Sequence, residues 1–189
     1  VADLIVVFGI SGVGKTTACR AYASRGAGVL HVGASELLRK QTMLSSSELR
    51  MSSQEGILAR QMGLKAALDE RTRGRSEPIV VLDAHSVVDN DRELVAVPVG
   101  VVRALAPTAL VLLEAPISAV VSRRTSEERR PSRSEEAIFT EMATARSVVA
   151  DYALKLRLPL AVGYVVDNFE LGTLIERLLQ EVRETQEKL

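Results

Sequence analysis

Gly9, Gly14, Lys15 and Thr16 occupy the fixed positions of GxxxxGK[ST] in the run Gly9-Ile10-Ser11-Gly12-Val13-Gly14-Lys15-Thr16. Residues of these types at this spacing suit the cradling of phosphate groups. Glycine lets the backbone wrap closely around anionic oxygens, while successive N–H groups and a helix N-terminus supply partial positive charge. Gly9, Ser11, Gly12, Val13, Gly14, Lys15, Thr16 and Thr17 are thus the expected contacts of a nucleotide such as ATP. Lys15 is expected to reach its β- and γ-phosphates, and the Thr16 hydroxyl to ligate Mg²⁺. The apolar run Leu4–Phe8 ahead of the motif and the helix-compatible stretch after it give the loop its required strand-to-helix setting.

Asp83 follows Ile79-Val80-Val81-Leu82, four apolar residues that read as a strand. A carboxylate at a strand end beside such a loop can hold Mg²⁺ or orient its waters. His85 and Ser86 lie just beyond and are placed to face a substrate, although a lone histidine equally serves as a structural hydrogen-bonding group. Five arginines fall within the eleven residues Arg123–Arg133. Their forks grip phosphate oxygens in pairs and keep their charge, so this segment reads as a lid over the loop. Glu127 and Glu128 neutralise part of the run, and a solvated charged loop is the plainer reading. Arg39 and Arg50 are isolated cations suited to an acceptor phosphate or to coating a helix, and Arg146 stands beside an apolar helical stripe.

These residues need a scaffold that brings strand ends together. Asp3–Phe8 reads as the first strand, Lys15–Ser24 as a helix, and Val29–Val32 as a second strand after Gly26 and Gly28. Ser35–Gln41 forms a short helix, Ser45-Ser46-Ser47 a loop, and one long helix begins near Ser53 with Ile57, Leu64 and Leu68 on one face and Leu58 and Met62 beside them. Strands follow at Ile79–Leu82, Ala109–Leu113 and Leu160–Val166. Helices are expected from Pro116 towards Arg124, from Ser132 and Glu135 (capping-box spacing) through Leu156, and from Leu171 onward. Apolar strands alternating with helices imply an α/β fold with a parallel, five-stranded sheet covered on both faces. Ligands of such sheets collect at the carboxyl ends of the strands. That rule sets the glycine-rich loop, Ser35, Asp83, the turn after Glu114 and Asn168 along one rim.

The 189 residues suit a single domain, 1–189, with a substantial core. Twenty-four Lys+Arg balance 24 Asp+Glu, so bulk charge gives no signal for nucleic acid or anionic membrane. Aromatic residues make up 3% and Trp is absent, a poor supply for stacking on single-stranded bases. Cys19, the single cysteine, excludes an internal disulfide and a cysteine-built zinc site, and its place in the first helix suggests a buried apolar role. No apolar run reaches membrane-spanning length, and a cytoplasmic location is the expectation.

Taken together, these features resemble the P-loop nucleoside monophosphate kinases, most closely the archaeal-type adenylate kinases. The resemblance rests on Val6–Thr17, on Ser35-Glu36-Leu37-Leu38-Arg39, on Glu48-Leu49-Arg50, on Leu82-Asp83-Ala84-His85-Ser86 and on Ala109–Ala115, followed by the arginine run and the helix bearing Arg146. It implies a three-layer P-loop NTPase fold, an acceptor-binding insertion over about 33–75 and a lid over about 124–134. It further implies a cytoplasmic, ATP-binding transferase that uses Mg²⁺ with ATP and moves a phosphoryl group onto a nucleoside monophosphate, most simply AMP. On that reading Lys15, Arg123, Arg130, Arg133 and Arg146 are catalytic, Thr16 and Asp83 hold the metal, and Asn168 joins the ATP contacts. Ser35, Arg39, Arg50 and His85 would receive the acceptor. A homo-oligomer is compatible with the resemblance.

Ala115, Pro116, Ser134 and Ser35 depart from the family's common pattern and leave the acceptor open. One alternative is a P-loop kinase of a hydroxyl-bearing small molecule, for which Glu36 and Asp83 are the only placed base candidates. Another is a nucleotide-switch regulatory or assembly ATPase. A GTPase and a transporter ATPase find no support, since NKxD and LSGGQ motifs are missing.

Overall fold

A computed structural model describes residues 2–25, 28–43, 45, 48, 53–126 and 133–187. Gly26, Ser46, Ser47, Arg50, Glu127, Glu128, Arg129, Arg130 and Ser132, all used in the sequence reading, lie outside the described residues. The chain runs β1 (Asp3–Phe8), α1 (Lys15–Arg25), β2 (Val29–Gly33), α2 (Ala34–Thr42), α3 (Gln54–Gln61) and α4 (Leu64–Thr72). It continues through β3 (Ile79–Asp83), β4 (Val87–Asp89), β5 (Leu94–Ala96), α5 (Val99–Leu105), β6 (Ala109–Glu114) and α6 (Ile117–Thr125). It ends with α7 (Glu135–Leu156), β7 (Leu160–Tyr164) and α8 (Leu171–Gln186).

Five strands form one parallel sheet in the order β2-β3-β1-β6-β7. Side chains alternate across a strand, and both faces of the central strands are apolar. Ile5, Val7, Val81, Val111 and Leu113 pack with Cys19 and Tyr22 of α1 and with Ile175, Leu178 and Leu179 of α8. Val6, Phe8, Leu82, Leu110 and Leu112 pack on the opposite side with Leu37 and Leu38 of α2, Leu64 and Leu68 of α4, and Val149 and Tyr152 of α7. Each such fully buried side chain contributes about 1.5–3 kcal/mol of transfer free energy, which fixes the strand register and hence the rim.

Three expectations are corrected. The long helix from Ser53 is two helices, α3 and α4, with Ser53 capping α3 by accepting from Gly56 N–H. The break falls at Gly63, a weak helix former. A Cβ there would stand 3.0 Å from Gln41 Oε1, so glycine also lets α2 approach closely. Met62 at the break is 70% exposed instead of packed. Helix α7 is capped by Ser134, whose hydroxyl accepts from Ala137 N–H, and not from the Ser132 position. The fifth sheet strand ends at Tyr164, two residues short of Val166.

The hairpin β4–β5 and the helix α5 were not foreseen. Val87-Val88 and Leu94-Val95 are short apolar pairs around Asp89-Asn90-Asp91, a turn sequence. Asn90 Oδ1 accepts from Arg92 and Glu93 N–H, Asp89 Oδ1 accepts from Asp91 N–H, and Asp91 adopts φ +70°. This hairpin follows Asp83 directly and packs against α7. Among the described residues no helix is long and apolar enough to cross a membrane.

Candidate functional site

Strand β1 delivers the chain at Phe8 into a loop whose shape depends on glycine. Gly9, Gly12 and Gly14 have φ of +152°, +81° and +101°. A Cβ on Gly9 would lie 2.6 Å from the Leu113 carbonyl oxygen, so no other residue fits there. Helix α1 then begins at Lys15 with no acidic residue in its first turn, leaving its partial positive end available to an anion.

The parallel register of β1 and β3 sets Val7 opposite Asp83, and so brings that carboxylate to the same rim. Thr16 Oγ1 donates to Asp83 Oδ2 at 2.5 Å. Lys15 Nζ lies 3.9 Å from Asp83 Oδ1, donates to the Ile10 carbonyl at 3.2 Å, and stands 3.3 Å from His85 Nε2. An ammonium has no acceptor, so in this contact the imidazole nitrogen is the accepting partner. Thr16 and Asp83 thus present adjacent hard oxygen donors of the kind Mg²⁺ prefers. The other charges are muted. Burial pulls His31, 3.9 Å from Asp83, below the ordinary histidine value, with the Asp83 charge opposing. Burial, aided by Asp83, pushes the Cys19 thiol up to about 12, so it behaves as an apolar filler.

Ser35 and Arg39 lie on α2, and both are exposed. The β2–β3 register pairs Gly33 with Asp83, so the first turn of α2 starts beside the metal-competent carboxylate. Glu36, in the same turn, is held by Lys40 at 2.8 Å; that hydrogen bond and charge keep its carboxyl below the usual value. Asn168 sits beyond β7 in a turn with φ +63°. Val165 of the same connection would stand 3.3 Å from a Cβ on Gly14, which ties the β7 turn to the loop.

The arginines divide into two groups. Arg123 Nη1 donates to the Gly12 and Val13 carbonyls at 3.2 and 2.9 Å, and Arg124 Nε donates to the Ser11 carbonyl at 2.9 Å. Both grip the loop by its backbone. Arg133 instead forms a two-pronged pair with Asp89 at 2.9 and 3.0 Å and reaches Asp91 at 2.5 Å. Arg146 binds Glu114 through Nε and Nη2 at 2.7 and 2.6 Å. Arg146 was expected to turn towards the lid; its partner is the strand-end carboxylate of β6, which the nearly complete burial of Glu114 makes the stronger attraction. Asp89, Asp91 and Glu141 were missed by the sequence reading, because the short hairpin and the tertiary approach of α7 leave no spacing signal.

The profile of the AAA domain family matches residues 8–139, which include the loop, Asp83, the hairpin and α6. The chain belongs to the AAA domain family. No curated protein sequence matches it. Solved structures with the same fold include a shikimate kinase from Acinetobacter baumannii in complex with shikimate, at 14% identity and a TM-score of 0.62, covering 97% of this chain and 94% of that one. A shikimate kinase from Bacteroides thetaiotaomicron is 16% identical with a TM-score of 0.56 and 98% coverage of both chains. A sugar kinase from Janibacter sp. HTCC2649, unliganded, is 19% identical with a TM-score of 0.55, covering 95% and 94%. At such identities the likeness establishes the three-layer fold with its five-stranded parallel sheet, as expected from the sequence.

Proposed function

We propose that this AAA-family domain transfers the γ-phosphoryl group of ATP to a nucleoside monophosphate, with AMP the simplest acceptor. The observation that carries the reading is the state of the rim carboxylates. Asp83 is engaged by Thr16 and Lys15, Glu36 by Lys40, and Glu114 by Arg146. A hydroxyl acceptor benefits from a carboxylate that removes its proton. A monophosphate needs none, since its oxygen is already anionic, and positioning with charge neutralisation suffices. In the reaction an acceptor phosphate oxygen bonds to the γ-phosphorus while the bond to the β,γ-bridging oxygen breaks, giving ADP and a diphosphate.

Lys15 and the loop N–H groups bind the donor phosphates, and Asn168 with Val165 borders the donor on the β7 side. Ser35 and Arg39, with Arg50, receive the acceptor, and His85 beside Lys15 borders the space between the two. Thr16 and Asp83 would hold Mg²⁺, which neutralises phosphate charge when bound. The lid we propose, about 124–134, contributes Arg130 and Arg133, with Arg123 flanking it and Arg146 behind it. The cytoplasm supplies all of these reactants, and we place the protein there.

A second reading, phosphorylation of a hydroxyl-bearing small molecule, is favoured by the shikimate and sugar kinases among the similar folds. One assay separates the readings. ATP and Mg²⁺ are incubated with each common nucleoside monophosphate, with shikimate, with a panel of sugars, and without acceptor. ADP formation that depends on a monophosphate is the expected result. Dependence on a hydroxyl compound alone replaces the first reading by the second, and equal turnover without acceptor defeats both in favour of an ATPase.

A further inference from the structure

We propose that Arg124 and Glu141 form a buried strut that holds the phosphate-binding loop in its donor-binding shape, setting ATP affinity without touching ATP. The proposal rests on the reading that ATP binds at Gly9–Thr16. Arg124 closes α6, and Glu141 lies two turns into α7. Both side chains are 6% exposed. Arg124 Nε donates to the Ser11 carbonyl at 2.9 Å, and its Nη2 lies 2.8 Å from Glu141 Oε2 at ion-pair distance. A Cβ on Gly12 would stand 3.0 Å from Arg124 Cγ, so the arginine stem is also packed on the loop.

The planarity of the peptide unit makes this contact consequential. In a trans peptide the C=O of one residue and the N–H of the next point in opposite directions. Fixing the Ser11 carbonyl therefore fixes the direction of the Gly12 N–H, one of the groups available to a phosphate. A guanidinium on the carbonyl also polarises the peptide and strengthens that N–H as a donor. Arg123 acts in the same sense on the next two carbonyls, but from a solvent-facing position. Glycine at position 12 supplies the φ of +81° but no side chain to keep the loop there. The strut supplies that restraint from outside.

Glu141 has a distinct part. A buried guanidinium without a counter-charge is strongly unfavourable, and would turn towards solvent or towards the nearest anion. Glu141 holds it against Ser11. Glu141 also faces the charge of Arg133, and the part of its effect that the strut carries passes through Arg124, so within the strut the two are positioning residues acting in series.

The test measures the ATP–Mg²⁺ dissociation constant and steady-state kinetics for wild type, R124Q, R124K, E141Q and R124Q/E141Q, with thermal midpoints of the ligand-free proteins. R124Q is expected to weaken ATP about 10–100-fold, the range for a hydrogen bond from a charged group, while kcat at saturating ATP is retained. R124K keeps the charge but cannot span both partners, and recovers part of the affinity. E141Q weakens ATP less than R124Q, and the double variant is no weaker than R124Q alone. The proposal is overturned if R124Q binds ATP as wild type does while melting lower, if kcat falls with affinity unchanged, or if the two substitutions add. Should R124Q fail to fold, R124K and E141Q decide by the same criteria. Wild type that does not bind ATP defeats the functional reading together with the strut; wild type that binds, matched by an R124Q that binds equally well, defeats the strut alone.

Discussion

The proposed donor side of the rim is built from backbone held in place, whereas the proposed acceptor side is built from exposed side chains on one helix. Around Gly9–Thr16 three glycines have positive φ, two arginines bind three consecutive carbonyls, and Lys15 and Thr16 both engage Asp83. Among the described residues nothing comparable fixes Ser35 or Arg39, which project from the first turns of α2. The difference is physical. A triphosphate offers the same oxygens whatever the acceptor, so its site can be rigid and preorganised. Recognition of an acceptor by side chains on a surface helix can change with few substitutions, and the fold fixes only where it must approach.

The contrast is broken most severely at Lys15. K15A removes the ammonium proposed to neutralise the donor phosphates, and we expect ATP-dependent phosphoryl transfer to fall by about 100-fold or more, read as ADP formed under saturating acceptor. Retained turnover would mean that the loop binds phosphate without serving the reaction. A smaller and more selective effect is expected at Arg39. R39A should raise the acceptor KM about tenfold, the loss of one charged hydrogen bond, and leave the KM for ATP unchanged. An unchanged acceptor KM would return Arg39 to the role of a solvated helix residue, and move the acceptor site off this face of α2.

The same contrast explains what the sequence could reveal. The glycine-rich loop and the strand-end place of Asp83 were legible because their pattern is local: GxxxxGK[ST] is contiguous, and Asp83 ends an apolar run whose strand had to lie in the sheet. The three central strands of the sheet were legible for the same reason, as their apolar runs reflect burial on both faces, whereas the edge strands β2 and β7 are buried less completely. The hairpin at Val87–Ala96 was missed because three-residue strands carry too little periodicity to stand out. The break at Gly63 was missed because Ile57, Leu64 and Leu68 remain buried on both sides of it, preserving the helical pattern. Nor could the fates of the arginines be read. Arg123 and Arg124 are neighbours in sequence yet grip successive loop carbonyls, while Arg133 and Arg146 are taken by carboxylates that only tertiary packing brings near.

The smallest expected effect concerns Arg133, because its partner titrates. Burial raises the pKa of Asp89, but the Arg133 hydrogen bond, the Asp91 N–H and the charges of Arg133 and Arg124 outweigh it and hold the carboxyl below its ordinary value of 3.8. The unfolded chain therefore takes up this proton more readily than the folded one. The stabilisation is complete above the ordinary value and is lost as pH falls through the lower folded value. Such a partly exposed pair contributes about 1 kcal/mol or less, or about 2–4 °C in a chain of this size. D89N should thus melt slightly below wild type at neutral pH, and the gap should close on acidification past 3.8. Asparagine retains a side-chain oxygen able to accept from the Asp91 N–H, so the turn is kept while the charge and one prong of the Arg133 pair are lost together. A gap that persists in acid would assign Asp89 to turn geometry, leaving Arg133 without an electrostatic hold on the hairpin and available to the phosphates, as the sequence first suggested.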